Sequence, residues 1–140
     1  MAKNTVSKAK KKVKKKSVKH WKRKAWDVFS KYIRSRDSSK LGCRCYTCER
    51  YFPINKMHAG HYISRKISQT FFNEINVNAQ CVNCNSFKFG DLITYRENLV
   101  KEYGEELIKE LESQRNILKQ WKAYKLEDIY KKYKAKLKEY

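Results

Sequence analysis

Apolar side chains recur at helical spacing near the start of the folded part of the chain. Trp26, Phe29 and Ile33 are three and four residues apart, which predicts an amphipathic helix over residues 23–36. The polar run Asp37-Ser38-Ser39 should end this helix. One packed helix is therefore expected before the first cysteine.

Helical spacing returns at about Leu92 and continues to the C-terminus. A break is predicted at Gly104, with further helix around residues 117–121 and a last helix over 126–140. The first stripe consists of Leu99, Tyr103, Leu107 and Leu111, and the last helix has the apolar face Ile129, Tyr133, Leu137 and Tyr140. This last face is the candidate surface for a homodimer.

Between residues 43 and 89 the pattern changes to short alternating pieces, such as residues 57–63, with turn-forming residues between them. Few residues there could build a core unaided. The predicted fold class is α+β, with a small strand-containing core between helices. The expected divisions are a disordered basic arm (1–22), the main domain (23–112) and a C-terminal helical extension (113–140).

Charge points to a polyanionic partner. Thirty-four Lys and Arg against fourteen Asp and Glu give a net charge of +20, and such a protein binds nucleic acid through phosphate neutralisation. A membrane surface is the rival, but the basic run lacks large apolar residues, and no apolar stretch is long enough to span a bilayer. We expect no membrane association.

The N-terminal arm concentrates this charge. Residues 1–24 contain twelve Lys and Arg and no acid. An arm of this kind strengthens phosphate binding, although a purely solubilising tail is the alternative. The arm lysines predicted to contact DNA are Lys11, Lys12, Lys14, Lys15 and Lys16.

Four of the five cysteines form two Cys-x-x-Cys pairs, Cys45/Cys48 and Cys81/Cys84. Two-residue spacing lets both sulfurs of a pair reach one tetrahedral ion, so we predict one structural Zn²⁺. Four thiolates leave no open position for catalysis. Cys43 is left over and is interpreted as a small buried residue.

Two histidines, His58 and His61, lie between the cysteine pairs, and Asn85 directly follows the last cysteine. This arrangement resembles an HNH (ββα-metal) site. Hydrolysis of a phosphodiester needs a proton acceptor with a pKa near neutral and a cation that neutralises charge on the phosphate. A histidine could be the proton acceptor, and an amide could help to hold the cation.

The chain also resembles the NinG (Rap) family of phage recombination proteins, and more distantly the endonuclease VII group of junction resolvases. The resemblance covers about residues 25–112. It rests on Phe29-Ser30-Lys31-Tyr32-Ile33-Arg34-Ser35-Arg36-Asp37, Cys45-x-x-Cys48, Ala59-Gly60-His61-Tyr62, Asn76, Gln80-Cys81-x-x-Cys84-Asn85, Gly90 and Tyr95-Arg96. It implies a phage-encoded HNH-like protein in the bacterial host cytoplasm, acting on Holliday junctions or D-loops.

The resemblance assigns roles by position. His61 would be the general base, Asn85 a ligand of a catalytic Mg²⁺ or Mn²⁺, and Asn76 a loop residue that positions the His61 strand. Gly60 stands where many HNH sites have an acidic ligand, and Asn78 stands where the family pattern has a histidine. His58 is a candidate replacement ligand, although residues three apart on a strand face opposite sides.

Flanking cations are candidate phosphate contacts: Arg65, Lys66, Lys88 and Arg96. Three function classes remain open. The first is a metal-dependent endonuclease for branched DNA, with a homodimer or a recombinase as candidate partner. The second is a zinc-containing accessory that binds branched or single-stranded DNA without cutting, and the third is an RNA-associated zinc ribbon that leaves His61 and Asn85 unexplained.

Overall fold

The computed structural model describes residues 16–140, beginning just before helix α1 (Val18–Arg36). The Ser17 side chain accepts a hydrogen bond from the backbone N–H of His20 (3.2 Å) and so caps the helix. The helix thus starts five residues before the predicted position, so residues 18–22 of the predicted arm are helical. Lys11, Lys12, Lys14 and Lys15 lie outside the described residues, whereas Lys16 is described and exposed.

Five short strands form two antiparallel sheets. The first contains β1 (Ser38–Ser39), β2 (Gly42–Arg44) and β3 (Tyr51–Phe52), in that order. The second pairs β4 (Met57–His61) with β5 (Val77–Cys81), so that His61 lies opposite Val77 and Met57 opposite Cys81. The alternating piece predicted around residues 57–63 is confirmed as a strand over its first five residues.

Helices α2 (Leu92–Tyr103) and α3 (Glu105–Ser113) are separated at Gly104, as predicted, where the backbone has φ of +90°. A single 3₁₀ turn (Gln114–Asn116) follows, and then α4 (Ala123–Leu137). The predicted helix around 117–121 is wrong. Ile117 is already extended, and this segment carries the Trp121 ring to within 5.5 Å of the Phe72 ring.

The apolar face of α4 packs against α1 in the same chain. Tyr133 is buried with its ring centroid 4.7 Å from that of Phe29, and Ile129 and Leu137 pack around them. The interpretation of this face as a homodimer surface is therefore wrong, because α1 already covers it. The segment after residue 113 completes the core rather than extending from it.

Polar side chains join α1 and α4 to the strands. Arg36 donates to the carbonyls of Glu74 (3.0 Å) and Val77 (3.2 Å), while Asp37 accepts from the N–H of Ala79 (2.8 Å). The carboxylate of Glu74 accepts from both Tyr32 (2.8 Å) and Tyr133 (3.0 Å). The β4/β5 pair is thereby fixed against the helices.

Among the described residues, no helix is both long and apolar enough to cross a membrane.

Candidate active site and metal centre

The two cysteine pairs converge on one point. The sulfurs of Cys45, Cys48, Cys81 and Cys84 all lie within 4.8 Å of one another, and Cys48 Sγ is 3.9 Å from Cys81 Sγ. Sulfurs about 2.3 Å from a tetrahedral zinc are separated by distances of this order. The cluster fits a structural Zn²⁺. Cys43 lies outside it, buried, with its Sγ donating to the carbonyl of Arg34 (3.4 Å).

Hydrogen bonds at the cluster favour a thiolate. Burial opposes ionisation of Cys45, but donors from the Thr47 hydroxyl and from backbone amides outweigh it and lower the pKa of Cys45 to about 6. Burial and the nearby Cys45 thiolate raise the pKa values of Cys48 and Cys84. Mutual repulsion of this kind between thiolates is relieved by a bound cation.

The two faces of β4 carry different chemistry, because side chains alternate along a strand. His61 faces α1, where its ring stacks on Trp26 with centroids 5.1 Å apart. His58 lies on the other face, and its Nδ1 accepts a hydrogen bond from Asn85 Nδ2 (3.0 Å). The structure therefore brings Asn85 to His58 and places His61 on the opposite face of the strand.

The surroundings of His61 fix its protonation state. Nε2 lies 3.0 Å from the carbonyl oxygen of Phe71, which can only accept, so Nε2 carries the proton and Nδ1 keeps a free lone pair. Nδ1 has no hydrogen-bond partner among the described residues. Burial, aided by the charge of Arg65, lowers the pKa of His61 to about 4. The imidazole is neutral at pH 7, and its pKa lies below the near-neutral value expected from the sequence.

A basic groove of about 500 Å³ lies beside the His61 site. Its walls include Trp26 and Phe71, the two rings that contact His61. Five cations and no acid complete the lining: Lys19, Lys22, Arg23, Arg65 and Lys66. Such a groove is suited to a phosphodiester backbone.

On the other face of β4, Gly60 provides space for amide oxygens. A Cβ at residue 60 would collide with Gln80 Oε1 and lie 3.0 Å from Asn85 Oδ1. Gln80 Nε2 donates to the Gly90 carbonyl (2.9 Å), and this contact distinguishes the amide nitrogen from the amide oxygen. The oxygen, Oε1, is buried without a hydrogen-bond partner among the described residues. Two amide oxygens thus converge here, and His58 Nδ1 is engaged by the Asn85 amide nitrogen. The two oxygens form a neutral donor set that fits a weakly held divalent cation.

Asn76 joins the two ends of the loop between β4 and β5. Its side chain accepts from the N–H of Ile63 (2.7 Å) and donates to the carbonyls of Ile63 and Thr70 (both 3.1 Å). Asn78 donates to the Tyr95 hydroxyl (3.1 Å), which in turn donates to the Gly60 carbonyl (2.8 Å). Both asparagines are buried and hold the backbone around β4 and β5.

The predicted phosphate contacts have different environments. Arg65 lies over the Trp26 ring at 5.6 Å, and Lys66 lines the same groove. Lys88 is exposed on the turn after the second cysteine pair. Arg96 instead bonds to the carboxylates of Glu105 (2.7 Å) and Glu112 (2.9 Å), so its guanidinium is engaged within the chain.

Three contributors to the site were not anticipated from the sequence as site residues. Trp26 was placed only in the core stripe of α1, Phe71 carried no signal, and Gln80 stood out only through the family resemblance. Trp26 and His61 are 35 positions apart, so only the packing of α1 on β4 reveals their contact. The sequence offered one hint of this contact, namely that Trp26 is an aromatic residue on a predicted helix.

Comparison with known proteins places the chain in a family. The family model described as Bacteriophage Lambda NinG protein matches residues 2–140. The chain is 33% identical over 121 residues to protein ninG of Escherichia phage lambda, covering 86% of this chain and 57% of that relative.

Other relatives give the same result. Protein ninG of Enterobacteria phage H19B is 34% identical over 98 residues, covering 69% of this chain and 47% of the relative. Protein ninG of Salmonella phage P22 is 31% identical over 121 residues, covering 86% and 57%. The chain spans about half the length of these relatives, and no solved structure matches it. By the family model and by these identities, the chain belongs to the NinG family.

Proposed function

We propose that this chain is a phage recombination protein that binds branched DNA and cleaves it with a divalent metal, using an HNH-like β4/β5 core. The observation that carries the proposal is the hydrogen bond between His61 Nε2 and the Phe71 carbonyl. It holds the imidazole in one tautomer and leaves Nδ1 as a proton acceptor beside a basic groove.

The residues divide the work. Cations of the groove, Arg65 and Lys66 among them, bind the DNA backbone and bring a phosphate toward His61. His61 Nδ1 takes the proton of the attacking water. Because burial keeps the imidazole neutral at pH 7, it is in the required protonation state, although its low pKa makes it a weak base.

The amide oxygens of Asn85 and Gln80 would hold the divalent cation, and His58 would orient Asn85 through its hydrogen bond. When bound there, on the face of β4 opposite His61, Mg²⁺ or Mn²⁺ would supply charge stabilisation to a DNA phosphate. Gly60 contributes no carboxylate, and only neutral groups of the chain converge at this position. We therefore expect weak metal affinity in the free protein and tighter binding when a DNA phosphate completes the ligand set.

The decisive experiment measures cleavage of a four-way junction with Mg²⁺ or Mn²⁺. His61→Ala should reduce cleavage at least about a hundredfold, because the proton acceptor is lost. Its junction affinity should stay within a few-fold of wild type, since Lys and Arg dominate binding. His58→Ala is the matched control: it removes a histidine three residues away on the other face, and it should instead raise the metal concentration required.

A second candidate function is favoured by three features that weaken catalysis. His61 is mostly enclosed by Trp26 and Phe71, and position 60 has no acidic ligand. The candidate metal ligands also lie on the opposite face of β4 from His61. In this case the protein is a zinc-containing accessory that binds junctions without cutting them. Tight junction binding by wild-type protein with no cleavage in Mg²⁺, Mn²⁺, Ni²⁺ or Zn²⁺ would establish it and refute the nuclease.

A further inference from the structure

Two phenylalanines project into solvent on the turn that follows the second cysteine pair. Phe87 is 75% exposed and Phe89 is 87% exposed. Val82, Leu92 and Ile93 nearby are exposed as well, at 40%, 46% and 79%. Exposed apolar residues this close together on a strongly charged protein mark an interaction site. We call Phe87 and Phe89 with Lys88 between them the aromatic turn.

The backbone of the aromatic turn is held in an unusual conformation. Phe89, Gly90 and Asp91 have φ values of +52°, +89° and +46°, a region that residues with a Cβ rarely occupy. Local folding alone does not favour Phe at such a position. Positions kept in this region against their preference cluster at functional sites.

The turn is also anchored. Asn83–Phe87 forms one wide π-turn, closed by the N–H of Lys88 on the carbonyl of Asn83 (2.9 Å). The N–H of Gly90 bonds to the carbonyl of the cysteine-cluster residue Cys84 (2.9 Å), and the carbonyl of Gly90 accepts from Gln80 (2.9 Å). The two rings are therefore presented on a rigid support fixed to the cysteine cluster.

We infer that Phe87 and Phe89 stack on unpaired bases at a branch point, while Lys88 contacts the adjoining phosphate. Charge complementarity selects this occupant: the chain has a net charge of +20, and an exposed lysine stands between the two phenylalanines in the sequence. Alternating aromatic and basic side chains bind single-stranded nucleic acid without sequence preference. Bases in a duplex are already stacked, so this contact is selective for branched DNA.

The inference rests on the proposed function only in assuming that the protein binds DNA. The aromatic turn begins two residues after Asn85, the candidate metal ligand. A base stacked here places its neighbouring phosphates near that residue. The stacking would thus direct a bound strand toward the candidate metal position, whether or not the strand is then cut.

The test compares a DNA flap, which has a single-stranded arm, with a blunt duplex of equal length. Fluorescence anisotropy gives the affinity of the full chain for each, and permanganate oxidation of a thymine at the branch reports whether that base is stacked. The double variant Phe87→Ala/Phe89→Ala should weaken flap binding at least about tenfold and duplex binding less than about twofold. It should also restore permanganate reactivity that wild-type protein suppresses.

Two further variants exclude trivial causes. Phe89→Gly removes one ring at a backbone position that glycine occupies readily, so flap affinity should fall without a lower melting temperature. Leu41→Ala/Leu118→Ala, which truncates side chains that are 72% and 99% exposed elsewhere, should change neither affinity nor thymine reactivity.

Several results would overturn the inference. Unchanged flap affinity and thymine protection in the double variant would do so while leaving DNA binding intact. Equal losses on flap and duplex would also refute it, as would loss of self-association in sedimentation with unchanged DNA binding, which would make the turn a protein interface. Failure of wild-type protein to bind any DNA would instead refute the proposed function.

Discussion

The buried histidine makes a quantitative prediction about stability. The pKa of His61 falls from 6.5 to about 4 on folding, mainly because burial disfavours the charged form. Between these two values the unfolded chain binds more protons than the folded one. His61 therefore contributes no penalty above about pH 6.5 and increasingly destabilises the fold as the pH falls toward 4.

The magnitude follows from the two pKa values. Each pKa unit is worth about 1.4 kcal/mol, so His61 can lower the free energy of unfolding by about 3 kcal/mol at low pH. About 2 kcal/mol of this decrease should already be present at pH 5. Urea unfolding of zinc-saturated protein at pH 7.5 and at pH 5 measures this loss. Wild-type protein also carries other groups that titrate in this range, so variants are needed.

His61→Gln isolates the contribution, because the glutamine amide can still donate to the Phe71 carbonyl but does not titrate. Its loss of stability between pH 7.5 and 5 should be about 2 kcal/mol smaller than that of wild type. His58→Gln, at an exposed position on the other face of β4, is the matched control and should follow wild type. An identical pH dependence in wild type and His61→Gln would show that His61 is not enclosed as described. For the proposed nuclease, the same pKa predicts cleavage that does not rise through pH 6.5.

Three other predictions follow from the metal centre, the glycine of β4 and the basic arm. Removing zinc with a chelator, or substituting Cys84→Ser, should abolish cooperative unfolding, because the binding energy of a structural zinc is folding energy; an unchanged melting temperature would contradict the metal site. Gly60→Ala should cost about 1–3 kcal/mol in urea unfolding, since its Cβ meets the fixed amide of Gln80. Because Gln80→Ala removes that amide, Gly60→Ala/Gln80→Ala should lose less stability than the sum of the single losses, and additive losses would refute the clash. Deleting residues 1–15 should weaken binding to duplex and junction equally and flatten the salt dependence, whereas a lost preference for junctions with the salt slope unchanged would assign the arm a different role.

Local features of the chain were predictable because they depend on near neighbours in sequence. The stripe Trp26, Phe29 and Ile33 required a helix, and the break at Gly104 followed from its backbone freedom. The four zinc-type cysteines were identified because two-residue spacing restricts each pair to one ion. The opposite orientation of His58 and His61 also follows from strand geometry alone.

The sequence by itself thus determined most of the helices, the strand around His61 and the cysteine cluster, while the preference for polyanions stays a prediction. Tertiary packing decided the rest, because burial and long-range contacts depend on which surfaces meet. It covered the face of α4 with α1 and enclosed His61 between Trp26 and Phe71, which lowers its pKa. It also engaged Arg96 with two carboxylates and left Phe87 exposed. The sequence around these two residues predicts neither environment. Charge and hydropathy are properties of one residue, whereas a residue's availability to a ligand is set by the neighbours that the fold brings to it.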